Sequence, residues 1–192
     1  MAVSRLINHV VKCHSLMCIK RFNLLAFIIF MSLNIAPMSQ ANAENRLIII
    51  IRHAEKANVS AKDPPLSPQG VMRATSLITA LHRTPLSQLV ATQYQRTQQT
   101  LAPIAEERHL PVTIVEAANP IEQHIQHIVE QVHAVQGNTL IAGHSDTVPL
   151  IIKALGGPEI QAINEDDYSQ LFILSLNDGQ PASLIATRYG QE

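Results

Sequence analysis

Two hydrophobic rhythms alternate along this chain. Residues 47–51 read Leu-Ile-Ile-Ile-Ile, an unbroken apolar run that predicts a strand covered on both faces. After Ser67-Pro68 the period changes. Val71, Ala74, Leu77, Ile78 and Leu81 recur at helical spacing, with Ser67 suited to the N-cap and Pro68 to the first helical position. Short strands are then predicted over 88–92, 111–115 and 139–142, and helices over 94–108 and 147–155. Between them a further helix starts at Asn119-Pro120, carries the stripe Ile121, Ile125, Ile128, Val129, Val132, and stops at Gly137-Asn138. The last apolar runs, 170–176 and 182–189, flank Asn177-Asp178-Gly179-Gln180-Pro181, a hairpin signal. The alternation predicts an α/β fold. Three α/β/α layers would enclose a mainly parallel sheet, closed by an antiparallel hairpin.

Composition divides the chain at residue 43. Residues 1–43 hold Arg5, Lys12, Lys20 and Arg21 and no acidic residue, then an apolar run within 22–33, and end in Ala41-Asn42-Ala43. A basic start, a short apolar stretch and small residues at the end predict a secretory signal peptide. The run is short for a membrane span of about 20 residues. A retained anchor is the alternative reading, and Met17 is an alternative start. The expectation is a periplasmic or secreted domain over 44–192, with no stable membrane span once the signal is removed. Of 14 Lys+Arg and 15 Asp+Glu, four bases precede residue 44, so the domain carries a formal charge of −5. That balance argues against a nucleic-acid partner. Cys13 and Cys18 also precede residue 44, leaving the domain no disulfide and no cysteine metal site.

The chemistry concentrates at predicted strand ends, where open α/β sheets bind ligands. Arg52-His53 follows the first strand, Arg96-Thr97 the second, and Gly143-His144-Ser145-Asp146-Thr147 the fourth. Guanidinium groups match phosphate oxygens with a planar fork of donors. The helix starting near Thr147 adds backbone N–H groups. Together they predict a tetrahedral-anion pocket containing imidazole. His124 and His127 suggest a metal pair by spacing, but two histidines without further ligands make a poor site. They are expected, with His133, on a solvated helix face.

Arg52-His53-Ala54-Glu55-Lys56 resembles the Arg-His signature of the histidine phosphatase superfamily, also called phosphoglycerate mutase-like. The resemblance continues through Leu66-Ser67-Pro68-Gln69-Gly70, Gln95-Arg96-Thr97-Gln98-Gln99-Thr100 and Gly143-His144-Ser145. The family usually has Gly after the pair; Ala54, with the stretch from Asp166 to Leu174, resembles a branch of small bacterial members. The resemblance implies a phosphoglycerate mutase-like fold and hydrolysis of a small phosphate ester. His53 would form a phosphohistidine, with Arg52, Arg96 and His144 clamping the phosphoryl group. It implies no metal and no cofactor. The proton donor stays open between Asp146, slightly favoured, and Glu116, with Glu55 a third candidate. Asp146 is equally suited to capping the helix. Ser145, Glu55 and Lys56 are expected to contact substrate, Glu55 and Lys56 as a pair at the rim. Two other readings stand beside the phosphomonoesterase: a phosphohistidine-protein phosphatase, and a non-catalytic anion-binding module on the same fold.

Overall fold

The structure is a computed structural model that describes residues 45–177 and 179–191. The expected signal peptide lies outside the described residues. Ten elements follow in order: β1 (Arg46–Arg52), α1 (Pro68–Ala80), β2 (Gln88–Ala91), α2 (Gln95–Arg108), β3 (Val112–Ile114), α3 (Ile121–Ala134), β4 (Thr139–Gly143), α4 (Thr147–Ala154), β5 (Gln170–Leu176) and β6 (Ser183–Arg188). The strands form one sheet in the order β3-β2-β4-β1-β5-β6. The first four in that order pair in parallel; β5 pairs antiparallel with β1, and β6 antiparallel with β5. The predicted α/β architecture with its closing hairpin is therefore what the chain adopts.

β1 lies between β4 and β5, which explains its unbroken isoleucines. Alternate side chains of a strand point to opposite faces. Ile48 and Ile50 pack with Ile125 and Ile128 of α3 and Val148 and Ile151 of α4. Ile49 and Ile51 pack with Leu77 of α1 and Leu101 and Ile104 of α2. All four isoleucines are essentially sealed from water, each burial contributing about 1.5–3 kcal/mol. The result is a rigid central strand whose end delivers Arg52 and His53 to the sheet edge.

The segment after β1 is held against α1. Ser67 N–H donates to the Glu55 carbonyl at 2.8 Å, and Ser67 Oγ accepts from Gly70 N–H as the N-cap. Gly70 is required by this approach: a Cβ there would lie 2.2 Å from the Glu55 carbonyl oxygen. One turn later, Arg73 reaches the Glu55 carboxylate, its Nε donating at 2.9 and 3.1 Å. The rest of that guanidinium donates to the carbonyls of Tyr189 and Gln191, so the end of the chain is fastened to α1. Arg73 is buried and Glu55 nearly so. Removing one partner leaves a charge without a match. Glu55→Ala is therefore expected to destabilise the fold by about 3–5 kcal/mol, read as a lower urea midpoint at neutral pH.

Candidate active site

Three strand ends and one loop build the site. The backbone N–H of His53 donates to the Gly143 carbonyl at 2.9 Å, joining the ends of β1 and β4. The next residue, Ala54, donates its N–H to Thr100 Oγ1, which itself donates to the Arg96 carbonyl. The start of α2 is thus tied to the turn that carries His53. His53 Nδ1 lies 2.8 Å from the Ala54 carbonyl. A carbonyl only accepts, so Nδ1 carries the proton and Nε2 keeps its lone pair. The His53 and His144 rings meet edge-on, centroids 5.4 Å apart.

His144 is held by Thr92 Oγ1, 3.2 Å from its Nε2, and its backbone N–H donates to Thr147 Oγ1. Tyr94 packs edge-on against the His144 ring and also lies under the Arg96 guanidinium, 4.4 Å from the ring centroid. Asp63 anchors Arg96 from the loop before α1 at 3.6 Å and accepts from the Gln95 backbone N–H. Arg52 is only 2 % exposed. Its guanidinium stacks on Tyr168 at 4.1 Å. One nitrogen, Nη1, donates to the carbonyls of Asn164 and Glu165 at 3.0 and 2.6 Å. Nη2 meets the Glu165 carboxylate at 2.7 Å.

The cavity between these groups measures about 530 Å³ and is lined by Arg52, His53, Arg96, His144, Ser145 and Asp146, with Lys56 at its side. Most residues expected at the site therefore converge there. Two do not. Glu55 pairs with Arg73 rather than Lys56 and faces a different cavity; the distant arginine is buried and the adjacent lysine exposed, so the arginine takes the carboxylate. Glu116 is exposed and absent from the lining; only its carbonyl turns inward, to His124 Nδ1 at 2.9 Å. Asp146 precedes α4 but makes no side-chain capping bond.

His124 corrects the expectation of a solvated face. It is 1 % exposed and lines the same cavity as His53 and His144, while His127 is exposed. Among the described residues, no group of three or more His, Cys, Asp or Glu side chains is arranged to hold a metal ion. No described helix is long and apolar enough to cross a membrane. Asp63, Tyr94, Tyr168 and Glu165 were missed in the sequence. Tyr168 lies in the stretch that resembles the small bacterial branch, and Asp63 and Glu165 lie in loops, 57–66 and 156–169, where the sequence places specificity without singling out a residue.

Residues 48–124 match the family model of the histidine phosphatase superfamily (branch 1). The match spans Arg52, His53 and Arg96 and bears out the resemblance seen in those motifs. No curated protein matches the chain by sequence. Solved structures share the fold. A candidate alpha-ribazole-5'-P phosphatase from Escherichia coli is 17% identical, with TM-score 0.59 over 76% of this chain and 97% of its own. Mycobacterial glucosyl-3-phosphoglycerate phosphatase with VO3 is 13% identical, with TM-score 0.60 over 76% of this chain and 100% of its own. The protein histidine phosphatase SixA with tungstate is 15% identical, with TM-score 0.56 over 74% of this chain and 96% of its own.

Burial sets the protonation of both histidines. It pushes His53 down to about 3, helped by His144, Arg96 and Arg52 and opposed by the Ala54 carbonyl. It pushes His144 down to about 4, helped by Arg96 and opposed by Asp146. Unfolded, each titrates near 6.5. Between these values the unfolded chain binds the extra proton, so stability is full above pH 6.5 and falls as pH drops toward 4 and 3. For His53 the loss between pH 7 and pH 5 reaches about 2 kcal/mol. His53→Asn should therefore lose less stability over that interval than the wild type, in parallel urea titrations at the two pH values.

Proposed function

We propose that this chain, with histidine phosphatase sequence over residues 48–124, is an exported phosphatase that hydrolyses small phosphate monoesters through a phosphohistidine on His53. The observation that carries this reading is the state of His53. Its Nδ1–H is fixed on the Ala54 carbonyl and its Nε2 lone pair stays free, in a cavity that also holds Arg52, Arg96 and His144. A neutral, oriented imidazole among cations is suited to attack an anionic phosphoryl group.

In the first step Nε2 of His53 bonds to phosphorus and the bond to the leaving oxygen breaks. Arg52 and Arg96 offset charge on the phosphoryl oxygens, and His144 orients them. Asp146 gives its carboxyl proton to the leaving oxygen. In the second step water attacks phosphorus, Asp146 takes the water's proton, the nitrogen–phosphorus bond breaks, and His53 and inorganic phosphate are regenerated. Asp146 is preferred to Glu116 because it lines the cavity and Glu116 does not. It is also free of a capping bond. The arginines supply the positive charge, and the mechanism uses no metal or cofactor. Ser145 and Lys56 are the further substrate contacts.

A second reading, a phosphohistidine-protein phosphatase, is favoured by the fold shared with SixA. The signal peptide proposed over 1–43 weighs against it, because phosphorelay proteins lie in the cytoplasm. The anion-binding module is the reading left if His53 forms no covalent bond.

With p-nitrophenyl phosphate, His53-dependent release and an acid-labile phosphoenzyme absent from His53→Ala are expected. Release that persists unchanged in His53→Ala would sink the reading. On an alkyl phosphate, a poor leaving group, Asp146→Asn should lower kcat by roughly 10²–10⁴, while Glu116→Gln stays close to wild type. The reverse order would reassign the proton donor. N-terminal sequencing of protein exported from a bacterial host should begin at Glu44; an intact N-terminus would remove the cleaved-signal assignment.

A further inference from the structure

The anion site is not empty of anions. Arg52 offers a side-on fork of donors, the usual docking edge for a carboxylate or phosphate. On this fork Nη2 already meets Glu165 Oε2 at 2.7 Å. The other oxygen of the same carboxylate, Oε1, accepts from Ser145 Oγ. One glutamate side chain therefore occupies a cation and a hydroxyl that face the proposed phosphoryl site. The second donor of the fork, Arg52 Nε, is buried and has no partner. The carboxylate therefore uses only half of the fork.

The placement of Glu165 is fixed from below and loose from above. Its backbone is pinned, because Arg52 Nη1 holds the Asn164 and Glu165 carbonyls. Asp167, two residues on, accepts from the Ser169 N–H at 3.1 Å and from Gln170 at 2.7 Å, and pairs with Arg188. The Glu165 side chain, by contrast, is 72 % exposed, while the guanidinium it covers is 2 % exposed. It can swing into solvent without disturbing the loop. His53 is itself only 4 % exposed, and it lines the same cavity as Glu165.

We propose that Glu165 is an internal competitor for the phosphoryl site: its carboxylate holds Arg52 and Ser145 in the free protein and must leave when a phosphate group binds. This rests on the reading of the cavity as a phosphoryl site. Glu165 is then a residue that sets affinity, not one that reacts. It weakens the hold on substrate and on released phosphate alike, because both need the same fork. A ligand that binds only the open state has its affinity reduced by the fraction of time the site is open.

The experiment is calorimetric binding of inorganic phosphate to the purified protein and to Glu165→Gln and Glu165→Ala. Both variants should bind phosphate about tenfold tighter, the gain when a site open one-tenth of the time becomes fully open. KM for a phosphate ester should fall with it. A purely structural role predicts the opposite sign, since a loosened Arg52 would bind phosphate more weakly. Unchanged or weaker binding in both variants overturns the proposal. So does a loss of kcat on alkyl phosphates with phosphate affinity unchanged, which would make Glu165 the proton donor. Phosphate binding needs no turnover. Tighter binding in variants of a protein that hydrolyses no ester leaves the competition standing and removes the phosphatase reading.

Discussion

A buried guanidinium cannot shed its charge, so every part of its surroundings must answer it. Arg52 is that group here. It ends the central strand and is almost wholly withdrawn from water. Carbonyls of the segment before β5 satisfy one edge, a carboxylate another, and the Tyr168 ring one face. These contacts shape the 164–168 segment. The ring of Tyr168 in turn stands 6.0 Å from that of His53. The loop that frames the cavity and the strand that supplies its histidine are thus organised around one cation.

Much of the fold was legible because periodicity reports burial. The isoleucines of β1 announced a strand covered on both sides, and the change to helical spacing after Pro68 announced α1. The position of β5 beside β1 was not legible, since strand neighbours are decided by long-range packing. His124 shows a signal present but misweighted. It falls three residues after Ile121 and one before Ile125, inside the buried stripe of α3, and it is buried accordingly. Polarity suggested solvent; position on the helix decided otherwise.

The site divides the same way. Arg52, His53, Arg96 and His144 stood out because they follow strands, and strand ends are where an open sheet exposes its edge. Glu55 was misplaced because adjacency in sequence was taken for adjacency in space. Its partner Arg73 lies eighteen residues away, one turn into a helix whose approach depends on Gly70. Asp63 and Glu165 come from loops without period. Nothing in their neighbourhood distinguishes them from the other acids until Arg96 and Arg52 are placed beside them.

Burial acts on the two kinds of cation in opposite ways, and the chemistry follows from that difference. Arginine keeps its proton at any accessible pH, so burying it obliges the protein to bring anions or carbonyls to it. Histidine titrates near neutrality, so the same burial removes its proton. His53 and His144 are driven below their ordinary value first by desolvation, with the arginines adding to the effect. One cavity can therefore hold charged arginines and still contain an uncharged imidazole. Had His53 been exposed, water would have stabilised its protonated form and its lone pair would be lost in acid. Had Arg52 been exposed, water would have competed with any anion for its fork. Enclosure by α/β packing therefore gives both groups the state that the proposed phosphoryl transfer needs, through desolvation first and neighbouring cations second.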